Sequence, residues 1–183
     1  MYCVMAISDG DGDRPRRRLD HEPSLRHVSF LTGARISGAV PDPLEFTLKP
    51  LPKAASDDAP VAGHAPVMPA TLGTRIPLFR DDLLASLRSC GVDNLEVYAA
   101  AVRDPDDGSR HLDYKATNIV GLVPAAALLA VNFGSDAAGA QRLLMFRLAE
   151  AVNVVMVHER VRTHLQQSGF HDLRFEAPLH IAM

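Results

Sequence analysis

Apolar and polar residues follow a helical period and then an alternating period in the middle of the chain. Within 79–90 the apolar positions recur at helical spacing, at Leu83, Leu84 and Leu87. Asp81 and Asp82 stand in the first turn, where the helix dipole favours acids, and Gly91 follows as a natural C-terminal stop. The next stretch, "LEVYA" at 95–99, alternates as a half-buried strand does. The pattern predicts a helix over 79–90 followed by a strand.

A turn and a second strand are predicted immediately afterwards. The stretch "RDPDDG" at 103–108 combines proline, aspartates and glycine, which are the residues that turns select. It is followed by "YKATNIVGLV" at 114–123, an apolar run rich in β-branched residues. We expect this run to return beside 95–99 as the second strand of a hairpin.

The same order of signals recurs near the C-terminus. A β-rich run at 154–157 precedes a helical pattern over 158–168, Gly169 stops it, and 173–175 predicts a strand. When the sequence is aligned with itself at an offset of 78 residues, four identical residues coincide. The aligned pairs are Leu87 with Leu165, Gly91 with Gly169, Leu95 with Leu173, and Ala99 with Ala177. An internal duplication and the convergent chemistry of two helix-to-strand connections both explain this similarity.

The N-terminal part has weaker periodicity. Residues 2–7 and 44–48 predict strands, whereas 50–69 is rich in proline and alanine, has no usable period and predicts a long surface loop. We therefore expect one domain over 1–183, with an irregular β-rich part at 1–70 and a compact core at 71–183. The expected class is α+β: mainly antiparallel sheets with two amphipathic helices, about 79–90 and 158–168, packed on them.

Composition narrows the function classes. The chain has 183 residues, 47% of them hydrophobic, and its formal net charge of −3 gives no long-range attraction to nucleic acid. Aspartates flank the basic run at 14–18, which we interpret as a solvated loop. The longest apolar stretch, 119–133, is too interrupted to span a bilayer. Together with the two lone thiols Cys3 and Cys90, these features predict a cytoplasmic protein with neither nucleic-acid nor membrane partners.

The pair His158-Glu159 is similar to the start of a zinc-protease helix. Such a helix needs a second histidine four residues later, so that both rings reach one metal ion. Arg162 occupies that position, and His164 lies about 240° further round the helix at roughly 100° per residue. We therefore interpret His158 and Glu159 as helix-start residues. A metal or enzyme site built from the C-terminal histidines remains a second hypothesis, with the candidate residues His158, Glu159, His164, His171 and His180.

Other motifs give no catalytic, cofactor or metal residues. The stretch "SDGDGD" at 8–13 lacks the glutamate that ends a calcium loop, and neither a nucleophile elbow nor a phosphate-binding glycine loop occurs. Asn118, in an apolar strand, is interpreted as a buried amide that bonds backbone groups. Acids near the first helix and the turn could form a partner-binding surface for a basic protein: Asp81, Asp82, Asp104, Asp106, Asp107 and Asp113.

One combination of these features resembles a known family. The helix closed by "GVDN" before a strand, the strand "NIVGLV", and "FRL" followed by a helix closed by "GF" are similar to the immunity protein 11 family. The resemblance covers roughly 77–178. It implies a cytoplasmic protein that binds a cognate toxin domain and blocks it by occlusion, without catalysis or a cofactor. A third hypothesis is a dimeric scaffold whose exposed apolar strand pairs with a partner.

Overall fold

The computed structural model describes residues 1–7, 17–25, 28–51, 68–73, 75–132 and 143–177. Within these ranges the chain forms twelve strands and three helices in two sheets. Eight of the ten strand pairings are antiparallel, which confirms the predicted α+β class. The predicted loop at 50–69 lies outside the described residues except at its two ends.

The smaller sheet has five strands and combines the two ends of the chain. Its spatial order is β12-β1-β11-β10-β9. The strands are β1 (Tyr2–Ala6), β9 (Leu122–Val123), β10 (Met145–Leu148), β11 (Ala151–His158) and β12 (Arg174–Glu176). The predicted strands at 2–7, 154–157 and 173–175 thus lie side by side in one sheet.

The larger sheet has seven strands and is built from the middle of the chain. Six of them lie in the order β2-β3-β6-β8-β5-β4, and β7 pairs with the far end of β6. They are β2 (Leu19–His21), β3 (Leu44–Leu48), β4 (Thr71–Leu72), β5 (Leu78–Arg80), β6 (Leu95–Arg103), β7 (Arg110–His111) and β8 (Tyr114–Ile119). The predicted hairpin is formed by β6 with β7 and β8.

The part of the chain that the structure describes has three helices, one more than predicted. They are α1 (Asp81–Ser89), α2 (Ala125–Asn132) and α3 (Glu159–Gln167). The predicted helices began at Phe79 and His158, but Phe79 and Arg80 belong to β5, and His158 ends β11. Helix α2, "AAALLAVN", is apolar on every side, so it lacks the amphipathic period that marks the other two. Within the described residues, no helix is long and apolar enough to cross a bilayer.

The predicted strand over 114–123 is wrong as a single element. It divides into β8 in the larger sheet and β9 in the smaller sheet. Gly121 lies at the division with a φ of 138°, a conformation that a side chain strongly disfavours. Its N–H donates to the Gly33 carbonyl at 2.7 Å. The apolar pattern is continuous there because β8 is largely buried and β9 consists of Leu122 and Val123, while the backbone turns from one sheet to the other.

The two sheets contain matching units. In the larger sheet β5 and β6 both pair antiparallel to β8, and α1 connects them. In the smaller sheet β11 and β12 both pair antiparallel to β1, and α3 connects them. Each unit is therefore a strand, a helix and a parallel strand, with an antiparallel strand inserted between the two.

The strand registers of the two units match as well. In the first unit Ala116 lies opposite Leu78 and Tyr98, and in the second Val4 lies opposite Met156 and Glu176. Adding 78 to the residue number leads from Leu78 to Met156 and from Tyr98 to Glu176, so the aligned residues occupy equivalent positions in the two units. The sequence similarity therefore corresponds to a three-dimensional equivalence. The inserted strand follows the first unit in the chain but precedes the second, so both explanations of the similarity stay open.

Helices α1 and α3 pack against each other in a core that both sheets share. Leu83 and Leu87 of α1 and Val161 and Leu165 of α3 are fully buried in it. The smaller sheet adds Met5 and Val157, and the larger sheet adds Phe79 and Ile119. Two further clusters lie outside this shared core: one contains Phe46 and Tyr114 of the larger sheet, and the other contains Tyr2 and Phe146 of the smaller sheet.

Both helices end in a left-handed glycine, which gives a direct test of the equivalence. Gly91 and Gly169 have φ values of 96° and 89°. We expect Gly169→Ala to lower the free energy of unfolding by about 1–2 kcal/mol, because an L side chain is strained in this region. Gly91→Ala should cost at least as much, since its new Cβ would lie 3.1 Å from Arg160 Nη2.

The control is Gly38→Ala, at an exposed glycine without a positive φ. It should change stability little, because alanine adopts such a conformation without strain. Urea unfolding of the three variants measures these differences. Equal stabilities for Gly169→Ala and Gly38→Ala would contradict the assigned helix end.

Candidate partner-binding site

The six candidate acids lie in two separate places. Asp81 and Asp82 begin α1, and the Asp81 N–H donates to the Asp113 carbonyl at 2.8 Å. Asp104, Asp106 and Asp107 occupy the turn after β6. Lys115 pairs with Asp81 and lies opposite Ala99 of β6. Ala99 precedes Asp104 by five residues in the chain. At the usual rise per residue, about 16 Å of strand separates Lys115 and its partner Asp81 from the turn, and Asp113, two residues before Lys115, lies closer to it.

The group at the start of α1 is largely neutralised. Lys115 Nζ lies 3.1 Å from the Asp81 carboxylate, and Arg80 donates two hydrogen bonds of 2.7 and 2.8 Å to Asp82. The hydrogen bonds from Arg80 hold the pKa of Asp82 below its ordinary value. Asp113 is exposed and has no side-chain partner among the described residues. It is therefore the one uncompensated charge of this group.

Arg17 is buried under the second group. Its guanidinium contacts Asp104 and lies 2.6 Å from Asp106, and only 2% of the residue is exposed. The interpretation of 14–18 as a solvated loop is therefore wrong at Arg17, while 14–16 lie outside the described residues. The reason is that the two carboxylates supply the opposite charge that a buried cation requires.

The residues 104–109, here called the acidic turn, are held by a dense set of hydrogen bonds. Asp104 N–H donates to the Ser109 carbonyl at 2.9 Å, and Gly108 N–H donates to the Asp104 carbonyl at 3.0 Å. The Asp107 carboxylate accepts from Ser109 N–H at 2.8 Å, and the Asp106 carboxylate accepts from Leu51 N–H at 3.1 Å. Gly108 takes the positive φ of 75° that closes the turn.

The hydrogen bonds of the acidic turn favour ionised carboxylates. The bond from Arg17 lowers the pKa of Asp106, and the bond from Ser109 N–H lowers the pKa of Asp107. Three carboxylates against one guanidinium leave two negative charges on the turn. Of the flanking arginines, Arg110 pairs with Glu45 and Arg103 is exposed. Asp107 is exposed and has no ion pair with a described lysine or arginine, while the neighbouring His111 lowers its pKa further.

The described C-terminal histidines have separate structural roles. His158 caps α3, as its Nδ1 accepts from Arg160 N–H at 3.2 Å, and its ring packs edge-on against Tyr2. Burial lowers the pKa of His158, which favours the neutral ring that this cap needs. His164 contacts α1 and His171 is exposed, whereas His180 lies outside the described residues. Among the residues that the structure describes, no group of three or more His, Cys, Asp or Glu could hold a metal ion.

Ser89 and His164 meet at the contact between α1 and α3, where they are similar to a nucleophile and its base. Their side chains lie 3.1 Å apart. However, the Ser89 hydroxyl donates to the Ser86 carbonyl at 2.8 Å, so its proton is not directed at the imidazole. With the hydroxyl proton on that carbonyl, His164 Nε2 is the donor to Ser89, which is the reverse of base catalysis. This pair joins the two helices, as does the Arg160 bond to the Cys90 carbonyl.

Asn118 is the fully buried amide that the sequence predicts. Its Nδ2 donates to the Ala34 carbonyl at 2.8 Å and to Glu96 at 2.9 Å. Glu96 also accepts from Ile36 N–H and from Arg35, each at 3.1 Å. Burial raises the pKa of Glu96, but these hydrogen bonds outweigh it and lower the pKa overall. The cluster fastens residues 34–36 to the sheet and has a structural role.

Two buried arginines were not recognised from sequence. Arg17 was hidden within a charged run, and Arg147 within the apolar stretch "MFRL". Arg147 Nη1 donates to the Val152 carbonyl at 2.6 Å, while Nε and Nη2 are buried without a hydrogen-bond partner among the described residues. Burial lowers its pKa to about 10. A lone arginine between large apolar residues is the one signal that could have marked it.

Neither a protein-family profile nor a curated protein sequence matches this chain. Of the candidate residues, the structure brings Asp104, Asp106 and Asp107 into one hydrogen-bonded turn and keeps Asp81, Asp82 and Asp113 together at the start of α1.

The role of Arg17 in holding the acidic turn can be measured. We expect Arg17→Met to lower the free energy of unfolding by about 1–3 kcal/mol, because it leaves two neighbouring carboxylates without their cation. Amide exchange at Gly108 and Ser109 should accelerate at least tenfold, since their hydrogen bonds belong to the acidic turn.

The matched control is Arg35→Met, which removes an ion pair to Glu96 from an arginine side chain that is 80% exposed. Such exposed pairs contribute about 1 kcal/mol or less, and exchange in the acidic turn should stay unchanged. If both variants lose the same stability and the turn keeps its protection in Arg17→Met, the anchoring role is wrong.

Proposed function

We propose that this chain is a non-enzymatic immunity protein that binds a cognate toxin domain and blocks it by occlusion. The acidic turn is the observation that carries the proposal. It presents three carboxylates on a backbone that Arg17 and five further hydrogen bonds fix in place. The resemblance of 77–178 to the immunity protein 11 family supplies the class of partner.

Rigidity of the acidic turn matters for binding. A flexible loop loses conformational entropy when a partner orders it, whereas a turn already held in one conformation avoids most of this cost. Fixed charges also produce a defined field, which accelerates encounter with an oppositely charged surface. A basic patch on the toxin domain is the expected counterpart. No reactive side chain is required, because occlusion needs only a complementary surface.

The six acids have different roles in this proposal. Asp104 and Asp106 compensate Arg17, and Asp81 and Asp82 pair with Lys115 and Arg80. Asp81 and Asp82 therefore contribute little free charge, whereas Asp104 and Asp106 share one guanidinium and keep one net negative charge between them. Asp107 and Asp113 are exposed and carry no described ion pair, so they are the residues that would attract a cationic partner directly.

Complex formation tests the proposal. The C-terminal domain of the protein encoded immediately upstream is co-expressed with this chain, and growth and co-purification are measured. We expect the toxin domain alone to arrest growth, co-expression to restore it, and the two proteins to elute together. Absence of both rescue and complex would overturn the proposed function.

The contribution of the free charges is tested with Asp107→Asn combined with Asp113→Asn. Asparagine keeps the oxygen that accepts from Ser109 N–H, so the turn should survive while two charges are lost. We expect association with the toxin domain to slow roughly two- to tenfold at low ionic strength, with a smaller difference at high salt. Stopped-flow or biolayer kinetics measure the rates.

Asp20→Asn with Asp93→Asn serves as the control, because it removes two exposed charges outside both acidic groups. Its association rate should remain close to that of the wild type. Equal slowing in both double variants would indicate a general charge effect and would contradict a role for this surface.

A further inference from the structure

A small cavity lies beside the outer core of the larger sheet, and none of its described lining residues belongs to the acidic turn. It has a volume of about 200 Å³ and is partly open to solvent. Its apolar walls are Leu25, Val28, Phe30 and Ile76. Phe30 and Ile76 are almost fully buried and belong to the core that covers this sheet, so the floor of the cavity is part of the folded structure.

The polar side chains among the described lining residues are able to donate hydrogen bonds. They are Ser24, Ser29 and Arg75, and the Glu22 carboxylate lies beside Arg75. The Ser29 oxygen accepts from Leu31 N–H at 3.2 Å, which leaves its hydroxyl proton for another acceptor. An apolar floor with a few polar groups is typical of sites for small organic ligands.

Arg75 determines the charge that the cavity prefers. Its side chain is 72% exposed, and its described ion pair is a long contact of 3.6 Å from Nε to Glu22. The two terminal nitrogens of the guanidinium have no described partner. A guanidinium binds a carboxylate through two parallel hydrogen bonds, which a flexible cation such as lysine cannot reproduce.

We infer that this cavity binds a small monocarboxylate with an apolar ring or a short apolar chain. The apolar part would contact Phe30 and Ile76, and the carboxylate would accept from Arg75 and Ser29. The volume is appropriate, since a cavity of about 150 Å³ holds a benzene ring in another protein. Glu22 opposes the anion, so its long contact with Arg75 must be weakened or shared when the ligand binds.

Benzoate is the probe for this inference, with benzamide as its neutral isostere and acetate as the charged group alone. Saturation-transfer NMR and titration of backbone amide shifts measure binding to the full chain. We expect benzoate to bind with a Kd on the order of 1 mM or below, which is reasonable for so few atoms. Benzamide and acetate should bind at least fivefold more weakly, and shifts should concentrate at 28–31 and 75–76.

Two variants assign the binding to the cavity. Arg75→Gln should weaken benzoate at least fivefold and leave benzamide unchanged, whereas Arg88→Gln, which neutralises an exposed arginine on α1, should change neither. Val28→Phe fills the cavity and should abolish binding of both rings. A retained amide spectrum identifies a folded variant, and Val28→Leu replaces it if the larger ring disrupts the fold.

Three results would overturn the inference. The first is that benzoate does not bind at about 10 mM, a concentration well above the Kd expected for so few atoms. The second is that Arg75→Gln leaves the binding of benzoate intact. The third is that benzoate and benzamide bind with equal affinities. Loss of toxin binding is not a readout here, so the outcome is independent of the proposed function.

Discussion

The contact between α1 and α3 is the interaction on which the rest of the structure depends. Each helix covers the inner face of its own sheet, but each also needs the other helix to complete its burial, since both lie in one core with residues of both sheets. A strand-helix-strand unit alone would expose the apolar face that its twin now covers. The matching strand registers allow the two units to meet through equivalent faces.

The outer faces of the two sheets are covered by different means, and this difference produces the asymmetry of the molecule. The larger sheet is covered by residues 28–40, which the Glu96 and Asn118 cluster and the bond between Gly121 and Gly33 fasten down. The smaller sheet has Tyr2 and Phe146 beside α2. The benzoate-sized cavity therefore occurs on the larger sheet, where an irregular segment covers strands less completely than a helix does.

Sequence predicted those parts of the fold that local periodicity determines. Clear hydrophobic periodicity marks helices α1 and α3 and the strands beside them, and a glycine marks the end of each helix. The proline, aspartates and glycine of residues 104–109 predicted a turn. The break at Gly121 was missed because it depends on a contact with the distant Gly33, and helix α2 was missed because its apolar sequence has no amphipathic period. Arg17 was misassigned for the same reason, since its partners Asp104 and Asp106 lie almost ninety residues away in the chain.

The two buried arginines show how the interior determines what the surface can do. Arg147 has no described carboxylate near its free nitrogens, so burial lowers its pKa to about 10 and its charge is a cost to the fold. Arg17 is equally buried, but its charge is compensated by carboxylates that belong to an exposed turn. Its burial therefore fixes surface acids in place. A core cation of this kind gives a small protein a rigid, charged turn without a larger scaffold.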